Sequence, residues 1–577
     1  MRLAAFYKKD RAWLKGKDID ENRVENKKEN KANCLKNKGE IMQQQNRFGV
    51  MLDMSRNAVM KVEEIKKYAK TLSAMGYNMI QLYTEDTYEV DGEPYFGYLR
   101  GRYSQEELKE VVTYCNGLGM EVIPCIQTLA HLNQIFRWKT YESVLDTADI
   151  LLAEDEKTYA LIENMFKSLR KCFTSEYVHI GMDEAHMLGL GKYLEKHGPV
   201  RRFDILLKHL QKVCEIAKKY DFKPLMWSDM FFRLEHKGEY YGKDFRVGED
   251  VRALVPQEVG LVYWDYYHTD KEMYEGMIDA HQEFNNDVWF AGGAWTWSGF
   301  SSGNQKTLDT MIPAVQSCQK KGVKNIFFTM WGDNGKECSY YSVLPSLYAI
   351  KRFYDGEEDM DKIKAEFKEI TGEDFDDLCL CDEPNYINGQ KDVIYNVCKF
   401  ALYSDPFNGF LDEKLTSVEL AEEHYNSLAT RLFAAAKRSK KYGYVLESQA
   451  KLCKVLEVKY GLGVRTRAAY QAEDKKAIKA LVADYTKAEK AIKVFHAAFQ
   501  KLWFNENKPH GFDVQDIRIG GLLQRLASCK ARLKAYAAGK IDKIAELDEE
   551  ILPYLNLFED GMLNMNVWLH NATANIL

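Results

Sequence analysis

No apolar run in this sequence approaches the roughly 20 residues a membrane-spanning helix needs, so no membrane partner is expected. Net charge is also small. A net charge of −6 over 577 residues leaves no general basic surface, which argues against nucleic acid as a partner. The twelve cysteines are scattered without framework spacing, and the one close pair, Cys379-Leu-Cys381, lacks a second Cys or His pair, so it reads as structural. No GxGxxG turn marks a dinucleotide site and no HExxH or paired-His spacing marks zinc, so no cofactor and no metal are expected. The opening MRLAAFYKKD has too short an apolar stretch for a secretory signal and runs straight into charge; a cytoplasmic location is the expectation.

What is present describes an ordinary globular chain, with 46% hydrophobic and 29% charged residues. Its length exceeds what one core supports, so more than one domain is expected. Residues 1–45 are polar and rich in Lys, Glu and Asn, which reads as a loosely attached segment. Residues 46–345 carry eight short apolar runs: Arg47–Asp53, Asn78–Tyr83, Glu121–Ile126, Tyr177–Gly181, Lys223–Trp227, Gly260–Trp264, Val288–Trp295 and Asn325–Trp331. Amphipathic helical patterns lie between most of them, such as Ala58–Met75 and Gln105–Leu118, the latter opened by a Ser104/Glu107 capping box and followed by Gly119. Eight strands alternating with helices predict an α/β fold, a (β/α)8 TIM barrel. Residues 346–577 turn to long Ala/Leu/Lys/Glu patterns (Ser417–Tyr442, Tyr444–Tyr460, Lys475–Trp503, Ile519–Ala538), predicting an all-α C-terminal domain whose default role is packing or dimerisation. A monomer or a homodimer is the expected assembly.

In a parallel barrel the residues just after each strand meet at one mouth. The most informative of them is the run His179-Ile-Gly-Met-Asp183-Glu184, which sets two carboxylates after the fourth strand. Two carboxyl groups, one able to hold a proton and one kept ionised, are the equipment for cleaving a glycosidic bond. The other strand ends bring Asp53 and Arg56, Glu85 and Asp86, His131, His186, Trp227 and Asp229, Trp264 and Tyr266, Trp295 and Trp297, and Trp331 and Asp333. A Trp closes each of the last four strands. With 13% aromatic residues overall, this reads as an aromatic box offering ring faces to a sugar, with Arg56 and Asp333 supplying directed hydrogen bonds. His179, Asp183 and His186 are the residues that a metal reading would need.

HIGMDE at 179–184, LDMSR at 52–56 and RYSQEELKEVVTYCNGLGMEVIPCI at 102–126 together resemble glycoside hydrolase family 20, the exo-acting β-N-acetylhexosaminidases. The resemblance covers roughly residues 47 to 345, and the helical tail is similar to that of a bacterial branch of the family. It implies retaining hydrolysis of terminal β-linked GlcNAc or GalNAc, assisted by the substrate's own 2-acetamido group, with an oligosaccharide or glycoconjugate as partner. By the same implication Glu184 is the general acid, and Asp183 orients the acetamido group and steadies the developing oxazolinium. Arg56 would bind hydroxyls 3 and 4, His131 would support the acid, Trp227, Trp295 and Trp331 would wall the pocket, and Asp333 would meet the far hydroxyls. An ionised Asp183 beside a protonated Glu184 is expected from like-charge coupling. The chain departs from the family pattern at Gln127-Thr-Leu-Ala-His131 and in having Asp333 where Glu is commoner. Tyr263 and Tyr266 are both candidates for holding the acetamido carbonyl. A catalytically inactive sugar-binding barrel and a hexosaminidase of another substrate-assisted family remain the alternatives.

Overall fold

The computed structural model describes residues 46–387, 397–410, 412, 415 and 417–552. The polar segment expected over residues 1–45 lies outside them. Eight parallel strands close into a barrel: β1 (Arg47–Asp53), β2 (Met79–Tyr83), β3 (Glu121–Cys125), β4 (Tyr177–His179), β5 (Lys223–Trp227), β6 (Gly260–Trp264), β7 (Val288–Gly293) and β8 (Asn325–Met330). Each strand pairs with its neighbours in sequence, and β1 meets β8 to complete the ring. The strands are apolar almost end to end because the barrel interior buries one face and surrounding helices bury the other. MIQLY, VWFAGG and NIFFTM are buried at every position.

The helices that follow successive strands are α1 (Val62–Ala74), α2 (Gln105–Gly117), α3 (Glu156–Arg170), α4 (Arg202–Lys219), α5 (Asp229–Glu235), α6 (Lys271–Gln282), α7 (Asn304–Lys321) and α8 (Leu344–Tyr354). The capping box opening α2 forms as expected, the Ser104 side chain accepting from the Glu107 N–H while Glu107 accepts from the Ser104 N–H. The strands expected to run to Gly181 and Trp295 stop two residues earlier. At the first, the chain turns into the left-handed region at Gly181 (φ 73°), where ladder bonding cannot continue.

Beyond α8 the described chain is helical, with α9 (Ala421–Arg438), α10 (Gly443–Lys459), α11 (Leu462–Gln471), α12 (Lys475–Glu506) and α13 (Phe512–Ala537). At 1.5 Å per residue the 32 residues of α12 span about 48 Å. This helical region grips the carboxyl face of the barrel. Lys61 N–H donates to the Glu506 carbonyl and Lys508 N–H to the Val59 carbonyl, fastening the loop after β1. Asn57 Nδ2 donates to the carbonyls of Gly335 and Gly511, and Gln515 Nε2 to that of Gly335, fastening the loop after β8. A Lys399–Glu337 ion pair at 2.8 Å, both side chains 1% exposed, sits in the same join. No helix among the described residues is long and apolar enough to cross a membrane.

Candidate active site

The chain after β4 carries the carboxylates on a strained turn. Gly181, Met182 and Glu184 have φ of 73°, 72° and 50°, and His131 on the facing loop has φ 58°. Left-handed backbone at non-glycine residues costs of order 1–3 kcal/mol and persists where the surroundings over-determine it. Only glycine fits at 181, since a Cβ there would lie 2.0 Å from Gln127 Oε1. That contact matters, because Gln127 holds the turn. Its Oε1 accepts from the Met182 N–H (3.2 Å) and its Nε2 donates to Asp183 Oδ1 (2.8 Å) and to the Tyr83 hydroxyl (3.1 Å).

From Asp183 a chain of polar contacts runs across the barrel mouth. Gln127 leads to Tyr83, whose hydroxyl donates to Glu85 (2.9 Å); Glu85 meets Arg56 Nε (3.1 Å), and Arg56 meets Asp53 (3.2 Å). Asp53 then accepts the Gly332 N–H on the loop after β8 (2.9 Å). Arg56 also lies 3.6 Å from Asp333, and its guanidinium covers the rings of Trp331 and Tyr83 at 4.8 and 5.0 Å. The two ends of the site, carboxylate pair and arginine, are therefore one hydrogen-bonded frame.

The two carboxylates have different surroundings. Burial would raise the Asp183 pKa, but the His131 imidazole 3.1 Å away and the Gln127 amide outweigh it and hold Asp183 below the usual carboxylate range. His131 is lifted in turn to about 9: burial opposes its charge and the Asp183 carboxylate prevails. The contacts that favour an ionised Asp183 are those with His131 and Gln127. Glu184 is different. Its side chain is 40% exposed, 3.7 Å from His131 Nε2 and 3.8 Å from Arg233, and its N–H donates to buried Asp229 (3.1 Å). Arg233 sits one helical turn beyond Asp229 and pairs with it at 3.0 Å. Burial, with Asp183 negative nearby, pushes the Asp229 carboxyl up to about 7 against the pull of Arg233. Burial likewise raises the Asp333 pKa against the pull of Arg56.

One pocket is lined by Arg56, Asp183, Glu184, Trp227, Trp264, Tyr266, Trp331 and Asp333, bringing eight of the expected site residues together. His131 stands behind the carboxylates, as its ion pair with Asp183 shows. Trp295 does not line this pocket. It is fully buried, stacked 4.2 Å behind Trp297, with Nε1 donating to the Tyr266 carbonyl. Trp297 is the wall in its place. Strand β7 ends at Gly293, and a Cβ there would lie 2.7 Å from the Trp297 ring and 2.9 Å from the Tyr266 ring, so the glycine admits both. Tyr263 is also excluded: its hydroxyl donates to Asp265 (2.8 Å) and its ring packs against His281 of α6 (5.0 Å), which leaves Tyr266 and its neighbour Tyr267 at the pocket. Trp227 Nε1 lines the same region as a buried donor without a partner among the described residues. Gln127, Tyr267 and Arg233 were not anticipated. Each follows a strand end, but only Arg233 left a spacing signal, four residues beyond Asp229.

The residues that two other chemistries would need are placed as follows. His179 is buried with Nδ1 accepting the Gly181 N–H, and His186 is exposed, so the trio expected of a metal reading does not assemble. His131, Asp183 and Glu184 do present atoms within 4.8 Å of one another. These three belong to the site already described, where His131 lies 3.1 Å from Asp183. Gly299-Phe300-Ser301-Ser302-Gly303 has the spacing of a nucleophile elbow, yet Ser301 Oγ is fully buried against Gln449 (3.5 Å) and Cys398 (3.6 Å).

A closed parallel barrel with a carboxylate pair after β4, inside a box of indole and phenol rings, is the arrangement of a glycoside hydrolase. Residues 47–273 match the family model for the glycosyl hydrolase family 20 catalytic domain, and residues 373–565 match the glycoside hydrolase 20C C-terminal domain. The chain belongs to glycoside hydrolase family 20. It is similar to hexosaminidase D of Bos taurus (27% identical over 227 residues, 38% of this chain and 62% of that protein). It is also similar to hexosaminidase D of Homo sapiens (24% over 226 residues, 38% and 44%). The chain thus spans about half the length of these relatives. Solved structures similar to it include a β-N-acetylhexosaminidase from Bacteroides fragilis (18% identical, TM-score 0.44, 57% of this chain and 70% of that one). Another is a chitobiase from Flavobacterium johnsoniae (15%, TM-score 0.45, 88% and 74%).

Proposed function

We propose that the protein is an exo-β-N-acetylhexosaminidase that removes terminal β-linked GlcNAc or GalNAc with retention, using the substrate's 2-acetamido group as nucleophile. The observation that carries this reading is the unequal treatment of two adjacent carboxylates. Asp183 is buried, ionised and fixed by Gln127 and His131, which suits a group that orients an amide and steadies positive charge on its nitrogen. A carboxylate so engaged is poorly placed to attack an anomeric carbon itself. Glu184 is solvent-reachable, which suits a group that gives a proton to the leaving oxygen and later takes one from water. Tyr266 and the unpartnered Trp227 N–H are the donors we assign to the acetamido carbonyl and the sugar ring. Arg56, framed by Asp53, Glu85 and Asp333, reads the hydroxyls at the far end of the terminal sugar.

The test is turnover of aryl β-N-acetylglucosaminide and β-N-acetylgalactosaminide by the purified protein, with a thiazoline mimic of the oxazolinium as inhibitor. Turnover of at least one substrate and strong inhibition are expected. Failure on both substrates overturns the reading, and indifference to the thiazoline overturns acetamido participation.

A further inference from the structure

The loop after β8 presents Asp333 to the pocket on strained backbone. The next three residues, Asn334, Gly335 and Lys336, have φ of 58°, 139° and 55°. Two of them carry side chains, and such conformations persist where the surroundings over-determine them.

Three of the groups that hold this loop belong to the helical region. The Asn334 carbonyl accepts from Arg518 of α13 (2.6 Å) and from Lys399 of the helix Val397–Tyr403 (3.5 Å). The Gly335 carbonyl accepts from Gln515 of α13 (2.9 Å) and, on the barrel side, from Asn57 (3.2 Å). Glu337 pairs with Lys399 (2.8 Å) and lies 3.5 Å from Arg518. The fit is close. A Cβ at Gly335 would stand 2.5 Å from Arg518 Nη1, 2.7 Å from Glu337 Oε1 and 2.9 Å from Gln515 Nε2. Farther along, Ser339 Oγ donates to Glu506, the last residue of α12 (2.6 Å).

The chemistry of this clasp favours precision over strength. Lys399 and Glu337 are buried, and a buried ion pair is often no more stabilising than well-packed apolar side chains of similar volume. Its directed bonds, by contrast, are satisfied by one placement of the backbone. That placement reaches the sugar site within one residue. Asp333 precedes Asn334 and lies 3.6 Å from Arg56, the other reader of the far hydroxyls. A displacement of about 1 Å in a substrate-binding group can cost on the order of a hundredfold in rate.

We infer that Lys399, Gln515 and Arg518 are positioning residues for the substrate site: the helical region clasps the loop after β8 and so sets where Asp333 meets the terminal sugar. The inference rests on the hexosaminidase reading and goes beyond it by giving the helical region a part in sugar recognition. None of the three is among the residues lining the pocket, so they act through Asp333.

The experiment is a double-mutant cycle on the full chain, read with an aryl β-N-acetylhexosaminide. Arg518→Gln should lower kcat/KM about tenfold, almost all of it as a rise in KM, because the group displaced binds hydroxyls and transfers no proton. In an Asp333→Ala background the same change should lower kcat/KM by about twofold at most. Arg518→Lys, which can still donate to the Asn334 carbonyl, should recover most of the loss. Should Arg518→Gln not fold, Gln515→Met, which keeps the length of the side chain and removes its bond to Gly335, takes its place in the cycle. A loss of equal size with and without Asp333, or kcat/KM unchanged from the wild type, overturns the inference and leaves the hexosaminidase reading intact. Absence of wild-type turnover overturns that reading instead.

Discussion

The floor of the pocket and its lip are built on opposite terms, although adjacent residues supply them. At the floor, Asp183 is 9% exposed, accepts a side-chain amide at 2.8 Å and faces a cation at 3.1 Å. At the lip, Glu184 is 40% exposed and its nearest cations stand at 3.7 and 3.8 Å, beyond hydrogen-bond reach. The contrast fits the two tasks proposed for them. A group that must remain charged gains from burial once its partners outweigh desolvation, whereas a group that changes protonation must reach water and leave its neighbours free to rearrange.

Four changes bear on that division. Asp183→Asn removes the fixed charge and should lower kcat/KM for an aryl β-N-acetylhexosaminide by about a thousandfold, the scale of losing a preorganised charge-stabilising group. A loss under tenfold would make the floor dispensable. Glu184→Gln should cost about a hundredfold or more on substrates with poor leaving groups and distinctly less on those with good ones. Equal losses on both would break the assignment of the lip to proton transfer. Gln127→Leu keeps the shape of the residue but strips its bonds to Asp183, Met182 and Tyr83, and should lower kcat about tenfold in a protein that still folds. Loss in KM alone would point to a general packing role.

The smallest effect is on stability. His131 has its pKa raised from 6.5 to about 9, so its contribution is complete below pH 6.5 and is lost as pH climbs through about 9. Asp183 is shifted down, so its contribution is complete above the ordinary carboxylate range and is lost on acidification below it. The wild-type Tm should therefore slope downward between pH 6.5 and 9, and His131→Asn should flatten that segment. An unchanged slope in the variant would locate the titration elsewhere.

Most of the barrel was legible because its strands are buried on both faces and so stand out as apolar runs; β1, β5 and β6 match their expected spans residue for residue. Strand ends were less legible. Side-chain direction alternates only while ladder bonds persist, so beyond Gly293 nothing local distinguishes Trp295, which turns into the core, from Trp297, which faces the pocket. Gln127 was visible as a departure from the family pattern, but its contacts to Met182 and Asp183 span 55 and 56 residues and exist only after folding. The same holds for Arg518, which reaches a barrel loop across 184 residues. Composition marked α13 as a helix and could not say which loop it meets.

The placement of the indoles has an optical consequence. Four of the chain's ten tryptophans, Trp227, Trp264, Trp297 and Trp331, wall a single pocket, and Trp295 lies directly behind one of them. Under the proposed function, a bound sugar would change the surroundings of four of these rings at once. The intrinsic fluorescence of the unlabelled protein should therefore report occupancy of the pocket, in variants that no longer turn substrate over as well as in the wild type.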